Sequence, residues 1–351
     1  MIGGHRRPGG WIAPMALALA VALSVPASDA AARQLLFSRQ VADGGVQYRY
    51  SFNDAEGQVR TLKFTLDEAL VQRGHREYRP IDSPEVAASL KRRVTSSIEE
   101  YIRPLGGSIT VDVQRKRGSL SVHYEVKLPP NRAVPAVEAE VERRAESAMA
   151  ETYANYFNVR DPKGTEVRPD FARIVQRYVE VLKPIADGIA AETKTDRERI
   201  AMALAFVQTI PYAVLERRNQ GGFVMPTAFF DLNRGDCDVK SVALAAILMS
   251  LVPDRSLVLV LPQEHALLAI DIPSEGDEAK LVVDGRSYVL VEPTGPALWP
   301  IGRVAGDTGK KMAGTTSEVI VLPRPAPELT LPARKPVAPG TNDAASKVTA
   351  N

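Results

Sequence analysis

The segment from Val239 to Val252 is apolar except at Lys240, Ser241 and Ser250. A stretch of this length with apolar residues on nearly every side reads as a helix buried on most sides, because a surface helix keeps a polar stripe. It is too short to cross a bilayer, which takes about 20 apolar residues. The chain must therefore wrap it in further layers. With 351 residues, 45% hydrophobic and 25% charged, there is material for this and for roughly two domains of about 150 residues. That balance excludes a disordered chain, a coiled coil or a collagen-like repeat. A net charge of +2 gives no electrostatic reason to expect nucleic acid or a membrane surface as partner.

The flanking pattern predicts an α+β fold. Residues 46–52 and 59–66 alternate as strands around the turn chemistry of Asn53, Asp54, Glu56 and Gly57, which predicts a hairpin. Ser83-Pro84-Glu85 opens a helix running to about Tyr101, with serine as cap and proline in the first turn. A second strand pair is predicted near 107–114 and 119–127, joined by Arg115-Lys116-Arg117-Gly118, a basic turn read as solvated. A charged, alanine-rich helix from Ala133 to about Tyr156 closes an N-terminal α+β domain, residues 33–160. Asp161-Pro162-Lys163-Gly164 reads as a linker to a second domain, residues 165–322. There, Phe171–Ala191 and Thr195–Thr209 are helical patterns, the second capped by Thr195 and ended by Ile210-Pro211. A loop with Gly221, Gly222 and Pro226 leads to the apolar helix, and strands are expected at 257–261, 266–272 and 288–291. From 323 to 351 the chain is rich in Pro, Ala and Lys and reads as a disordered tail.

The first 32 residues read as a secretory signal peptide. Arg6 and Arg7 precede an uncharged run from Trp11 to Pro26, followed by small residues. Ser28 and Ala30 suit a cut before Ala31, and Ala30 and Ala32 suit one before Arg33. The alternative, an uncleaved anchor, is short of a bilayer's width and interrupted by Pro14. The mature chain is expected in the periplasm or outside the cell, without a stable membrane span.

Cys237 is the only cysteine, which excludes an intrachain disulfide, a CxxC pair and a cysteine-rich zinc site. A lone thiol in an oxidising compartment is either an inert core residue or a nucleophile. Asp236 is a good N-cap and would place Cys237 in the first turn of the apolar helix. Unpaired amides and the helix dipole there favour thiolate, and the same amides could donate to an oxyanion. Asp238 opposes this, so its side chain is expected to point away or to meet a cation such as Lys240. A cysteine nucleophile needs a base. Of four histidines, His5 leaves with the signal peptide, His75 lies in a polar loop and His123 in a first-half strand, while His265 starts a strand after the Cys237 helix. Glu292, at the end of the next strong strand, could orient His265. Gln208 is a candidate second oxyanion donor. Asp231, Asp236 and Asp238 do not follow a calcium-loop spacing and read as structural. The chain lacks a GxSxG elbow, a Walker loop and HExxH, and no metal or cofactor is expected.

Gly235-Asp236-Cys237-Asp238, then His265, then Glu292-Pro293-Thr294-Gly295 resembles the transglutaminase-like superfamily of cysteine enzymes, of the bacterial cysteine peptidase type. Phe206-Val207-Gln208-Thr209-Ile210-Pro211-Tyr212 is similar to the helix end that precedes the core in bacterial members. The resemblance covers about residues 170–305. It implies a papain-like core in which a buried helix carries the nucleophile and packs on an antiparallel sheet. Cys237 would be nucleophile, His265 general base and acid, and Glu292 the orienting acid. Glu292 stands where the family usually has Asp, and Leu267 where an aromatic residue is frequent. The implied reaction is acyl transfer on an amide through a thioester. With water as acceptor the chain is a peptidase or amidase acting on a protein or peptide, the expected reading; with an amine it is a transglutaminase. The competing class is a binding or assembly module that keeps the fold without catalysis.

Overall fold

The computed structural model describes residues 32–116, 118–130, 135–164, 166–214, 222–314 and 317–323. The expected signal peptide up to residue 31, the tail from 324, Arg117 and Gly221 lie outside them.

The chain mixes helices with antiparallel sheets. Strands β1 (Gln34–Ala42), β2 (Gly45–Asn53) and β3 (Val59–Asp67) form a three-stranded sheet. The hairpin of β2 and β3 matches the sequence expectation, while β1 is additional. β1 and β2 are joined by Asp43-Gly44, both at positive φ, the pair a tight hairpin turn prefers. After α1 (Glu68–Gly74) comes α2 (Pro84–Ile102), whose cap Ser83 accepts from the Val86 N–H as expected. Strands β4 (Ser108–Lys116) and β5 (Ser119–Lys127) pair antiparallel, and α3 (Pro135–Asn155) follows. Val86, Leu90, Val94 and Ile98 of α2 share a separate core with Val141, Ala145 and Met149 of α3, backed by the β4–β5 ribbon.

Residues 161–164, expected as a linker, are the turn of a short ribbon, β6 (Asn158–Arg160) and β7 (Val167–Pro169), closed by the Asp161 N–H to the Glu166 carbonyl at 2.8 Å. The single helical pattern expected over 171–191 divides into α4 (Phe171–Tyr178) and α5 (Lys183–Glu192), with Pro184 in the first turn of α5. α6 (Asp196–Thr209) opens with a reciprocal capping box between Thr195 and Glu198 and stops before Pro211. The glycine-containing loop is followed by a helix not anticipated, α7 (Pro226–Leu232).

Next comes α8 (Cys237–Leu251), the apolar helix, with Val242 to Leu248 fully buried. α4, α5, α6 and α7 pack around it and β8 (Leu257–Leu261) and β9 (Leu267–Ile270) lie against it. With β10 (Lys280–Val283), β11 (Arg286–Val291) and β12 (Glu318–Leu322), the latter beyond α9 (Gly306–Gly314), these make an antiparallel sheet in the order β10-β11-β9-β8-β12. Strand alternation divides its faces: Leu259, Leu268, Ile270 and Val291 join the α8 core, while Val258, Val260, Leu267 and Leu290 form a core on the other side. β10 and β12, both at sheet edges, were not among the expected strands.

The first sheet belongs to the α8 core. Tyr50, Phe52 and Phe64 pack with Phe206 of α6, which stacks on Phe230 of α7 at 5.7 Å, and the Tyr50 hydroxyl donates to the Phe230 carbonyl at 2.8 Å. The apolar cores therefore do not part near residue 160.

Candidate active site

Cys237 begins α8 as its sequence implies. The Asp236 side chain accepts from the Val239 N–H at 3.2 Å, and the Lys240 N–H reaches the Asp236 carbonyl at 3.1 Å. The preceding loop is stitched to the chain leaving α6: the Gly235 N–H donates to the Pro211 carbonyl at 3.2 Å, and the Ala213 N–H to the Gly235 carbonyl at 3.0 Å. Gly235 leaves no room for a side chain. A Cβ there would lie 2.3 Å from Val239 Cγ1 and 2.7 Å from Phe229 Cδ2.

The sequence predicts thiolate at Cys237; the electrostatics run the other way. Burial pushes the thiol up, Asp238 and Asp236 push it further, and the Ala266 backbone N–H on the sulfur opposes them. A helix dipole contributes only about 0.3–1 kcal/mol, too little to offset burial beside two carboxylates. Asp238 does not point away: the Cys237 Sγ–H donates to its Oδ1 at 3.5 Å. Nor does it meet Lys240, whose Nζ donates to the Ile210 carbonyl at 2.6 Å and the Gln208 carbonyl at 3.3 Å. Burial raises the Asp238 carboxyl, while the cysteine S–H, His265 and Arg168 oppose the rise. Burial and Asp238 hold Asp236 at about 7.

His265 lies just before β9, and its neighbour Ala266 bonds both the Cys237 sulfur and, through its carbonyl, the Ser241 hydroxyl at 3.0 Å, one turn along α8. His265 and Cys237 thus occupy the same corner. His265 Nε2 contacts Glu292 Oε2 at 3.0 Å and Oε1 at 3.2 Å, leaving Nδ1 as the other ring nitrogen. Glu292, only 1% exposed, also accepts from the Thr294 N–H at 3.1 Å and the Thr308 hydroxyl of α9 at 2.9 Å. His265 and Glu292 are therefore brought together, with Thr308 as a partner the sequence did not reveal, while the Cys237 thiol has Asp238 as its side-chain partner. Beside the Cys237 loop, bridged to Gly235, stands Tyr212, half exposed, whose phenol is pushed up by burial and by Cys237, Asp236 and Asp238.

Gln208 is not placed to receive an oxyanion. Its amide nitrogen gives both hydrogens to backbone carbonyls, Glu292 at 2.7 Å and Trp299 at 2.9 Å. Asp231 lies in another cluster, accepting from Arg39 at 2.5 Å, Tyr48 at 2.7 Å and His75 at 2.9 Å. His123 sits on β5, opposite Asp112. Among the described residues no group of three or more His, Cys, Asp or Glu is placed to hold a metal ion, and no helix is long and apolar enough to cross a membrane.

No protein-family model matches the chain, and no curated protein matches it. Among solved structures, a protein from Parabacteroides distasonis described as a "putative protease" aligns with 52% of this chain and 35% of its own, at 9% identity and a TM-score of 0.23. That score carries neither fold nor function across.

Proposed function

We propose that this chain is an exported cysteine enzyme of the transglutaminase-like, papain-like kind, a peptidase or amidase working through Cys237, His265 and Glu292. The observation that carries the reading is the His265–Glu292 pair, at 3.0 Å, with Ala266, next to His265, reaching the one cysteine of the chain. The motif resemblance around Cys237, His265 and Glu292 supports it independently. The first 32 residues act as the export signal.

Because Cys237 rests as a partly buried thiol held protonated by its surroundings, it reacts by general-base catalysis. His265 Nδ1 takes the thiol proton as sulfur attacks the amide carbonyl. The Cys237 backbone N–H, at the start of α8, receives the developing oxyanion. The imidazolium, oriented by Glu292, returns the proton to the leaving amine and a thioester remains. Water then gives a proton to His265, attacks the thioester, and the carboxylic acid leaves as the proton returns to sulfur.

Turnover of a peptide library, read by mass spectrometry, tests this. Cys237→Ala is expected to abolish cleavage, and Glu292→Gln to lower it by roughly a hundredfold or more through loss of histidine orientation. Cleavage unchanged in Cys237→Ala would sink the assignment. The second reading, a binding module without catalysis, is favoured by one observation, the Asp238 carboxylate that accepts from the thiol. It expects Cys237 to alkylate at the same rate with or without His265.

A further inference from the structure

Lys240 has no part in the chemistry above, yet it is the most deeply buried charged side chain near it, 0% exposed and one turn behind Cys237 on α8. Its ammonium bonds two carbonyls at the end of α6, Gln208 and Ile210. These belong to the last turn of that helix and its cap, where carbonyls lack intrahelical donors. The Gln208 side chain carries the connection onward to the carbonyls of Glu292 and Trp299. One continuous run of hydrogen bonds thus joins the helix of the nucleophile, the end of α6 and the strand end that holds the acid.

We propose that Lys240 is a positioning residue for the Cys237–His265–Glu292 site: it fixes the Gln208 backbone, and Gln208 in turn fixes the backbone of Glu292. The proposal rests on the catalytic reading of those three residues. A 1% exposed carboxylate that must hold His265 has little tolerance for movement of its own backbone, since its contacts with His265, Thr294 and Thr308 all lie between 2.9 and 3.2 Å. The lysine also acts through charge. Among the described residues Glu292 is the charged group on another element that acts on Lys240, raising its affinity for a proton, while burial lowers it to about 7. On its own helix stand Cys237 and Asp238, with Asp236 at the cap, and across Glu292 stands His265. The uncharged backbone carbonyls of Gln208 and Ile210 complete its direct partners. Lysine reaches both carbonyls from this turn of α8 with a single donor group; arginine is larger and its planar fork needs more room.

The test reads Cys237 alkylation by iodoacetamide against pH in the full chain, which needs no substrate. His265→Ala sets the rate of a thiol without its base. Lys240→Met and Gln208→Met are each expected to slow alkylation at pH 7 at least threefold, and the double variant to be no slower than either alone. Neither should slow it further when added to His265→Ala. Folded variants with the wild-type rate–pH curve, whatever their melting temperature, overturn the proposal. If Lys240→Met does not fold, Gln208→Met, which leaves the lysine in place, decides on the same criterion. If His265→Ala itself leaves the curve unchanged, the catalytic reading fails; if only the Lys240 and Gln208 variants leave it unchanged, the positioning role fails alone.

Discussion

At the residue scale, the balance at Cys237 is set by Asp238 and burial against the Ala266 N–H and a weak helix dipole. Asp238→Asn removes the carboxylate that accepts from the thiol, so the thiol titrates lower and alkylation at pH 7 speeds up roughly three- to tenfold. A slower or unchanged rate in the folded variant would contradict the role given to Asp238. Asp236 supplies a stability prediction. Its carboxyl is raised from 3.8 to about 7 in the folded chain, so between those values the folded state holds more proton than the unfolded one. Stability therefore falls as pH rises from about 4 to about 7. Asp236→Asn keeps a capping oxygen and is expected to flatten that fall in melting temperature measured across the range. Cys237 as first residue of its helix and the contact of His265 with Glu292 were legible, because capping and element order are local or sequential signals. The protonation preference of the thiol was not, since it depends on how deeply the sulfur is buried and where the Asp238 side chain turns.

At the scale of elements, the loop before α8 is as constrained as the helix. Gly235 lies against Val239 and Phe229, and bonds Pro211 and Ala213 through its backbone. Gly235→Ala forces Phe229 and Val239 apart, at a cost of about 1–3 kcal/mol as for other overpacked sites. Thermal unfolding should register this as a clear fall in melting temperature, and an unchanged midpoint would mean the loop yields more easily than its packing implies. The helices with caps and periodic faces, α2, α6 and α8, were readable in sequence. α4 and α5 merged there because Val181 and Ile185 continue the apolar face across the break, which only Pro184 marks. β1 is not legible in sequence because it is an edge strand with exposed Leu35 and Leu36 and no clean alternation, although Asp43-Gly44 does carry the hairpin signal.

Across the whole molecule, sequence order is a poor guide to which parts share a core. The hairpin of β2 and β3 precedes α2 and α3 in the chain but buries Tyr50, Phe52 and Phe64 against Phe206 and Phe230, far along the sequence. Such a contact leaves no mark in local periodicity; each strand merely shows one apolar face, without saying what covers it. A fragment of residues 165–323 would expose that aromatic layer. It is expected to lack a cooperative thermal transition, whereas the same fragment co-expressed with residues 32–70 should regain one; cooperative melting of the fragment alone would refute this. The N-terminal reach extends further still. The Ala32 N–H donates to the Pro296 carbonyl at 2.8 Å, and its methyl carbon lies 3.6 Å from where a Cβ on Gly295 would stand, in the loop that leaves Glu292. If the proposed leader is removed on export, a cut before Ala31 keeps this tie and a cut before Arg33 deletes the residue that makes it. A difference of two residues in trimming would then separate a mature protein whose acid loop is braced by its own beginning from one in which that loop must stand unaided.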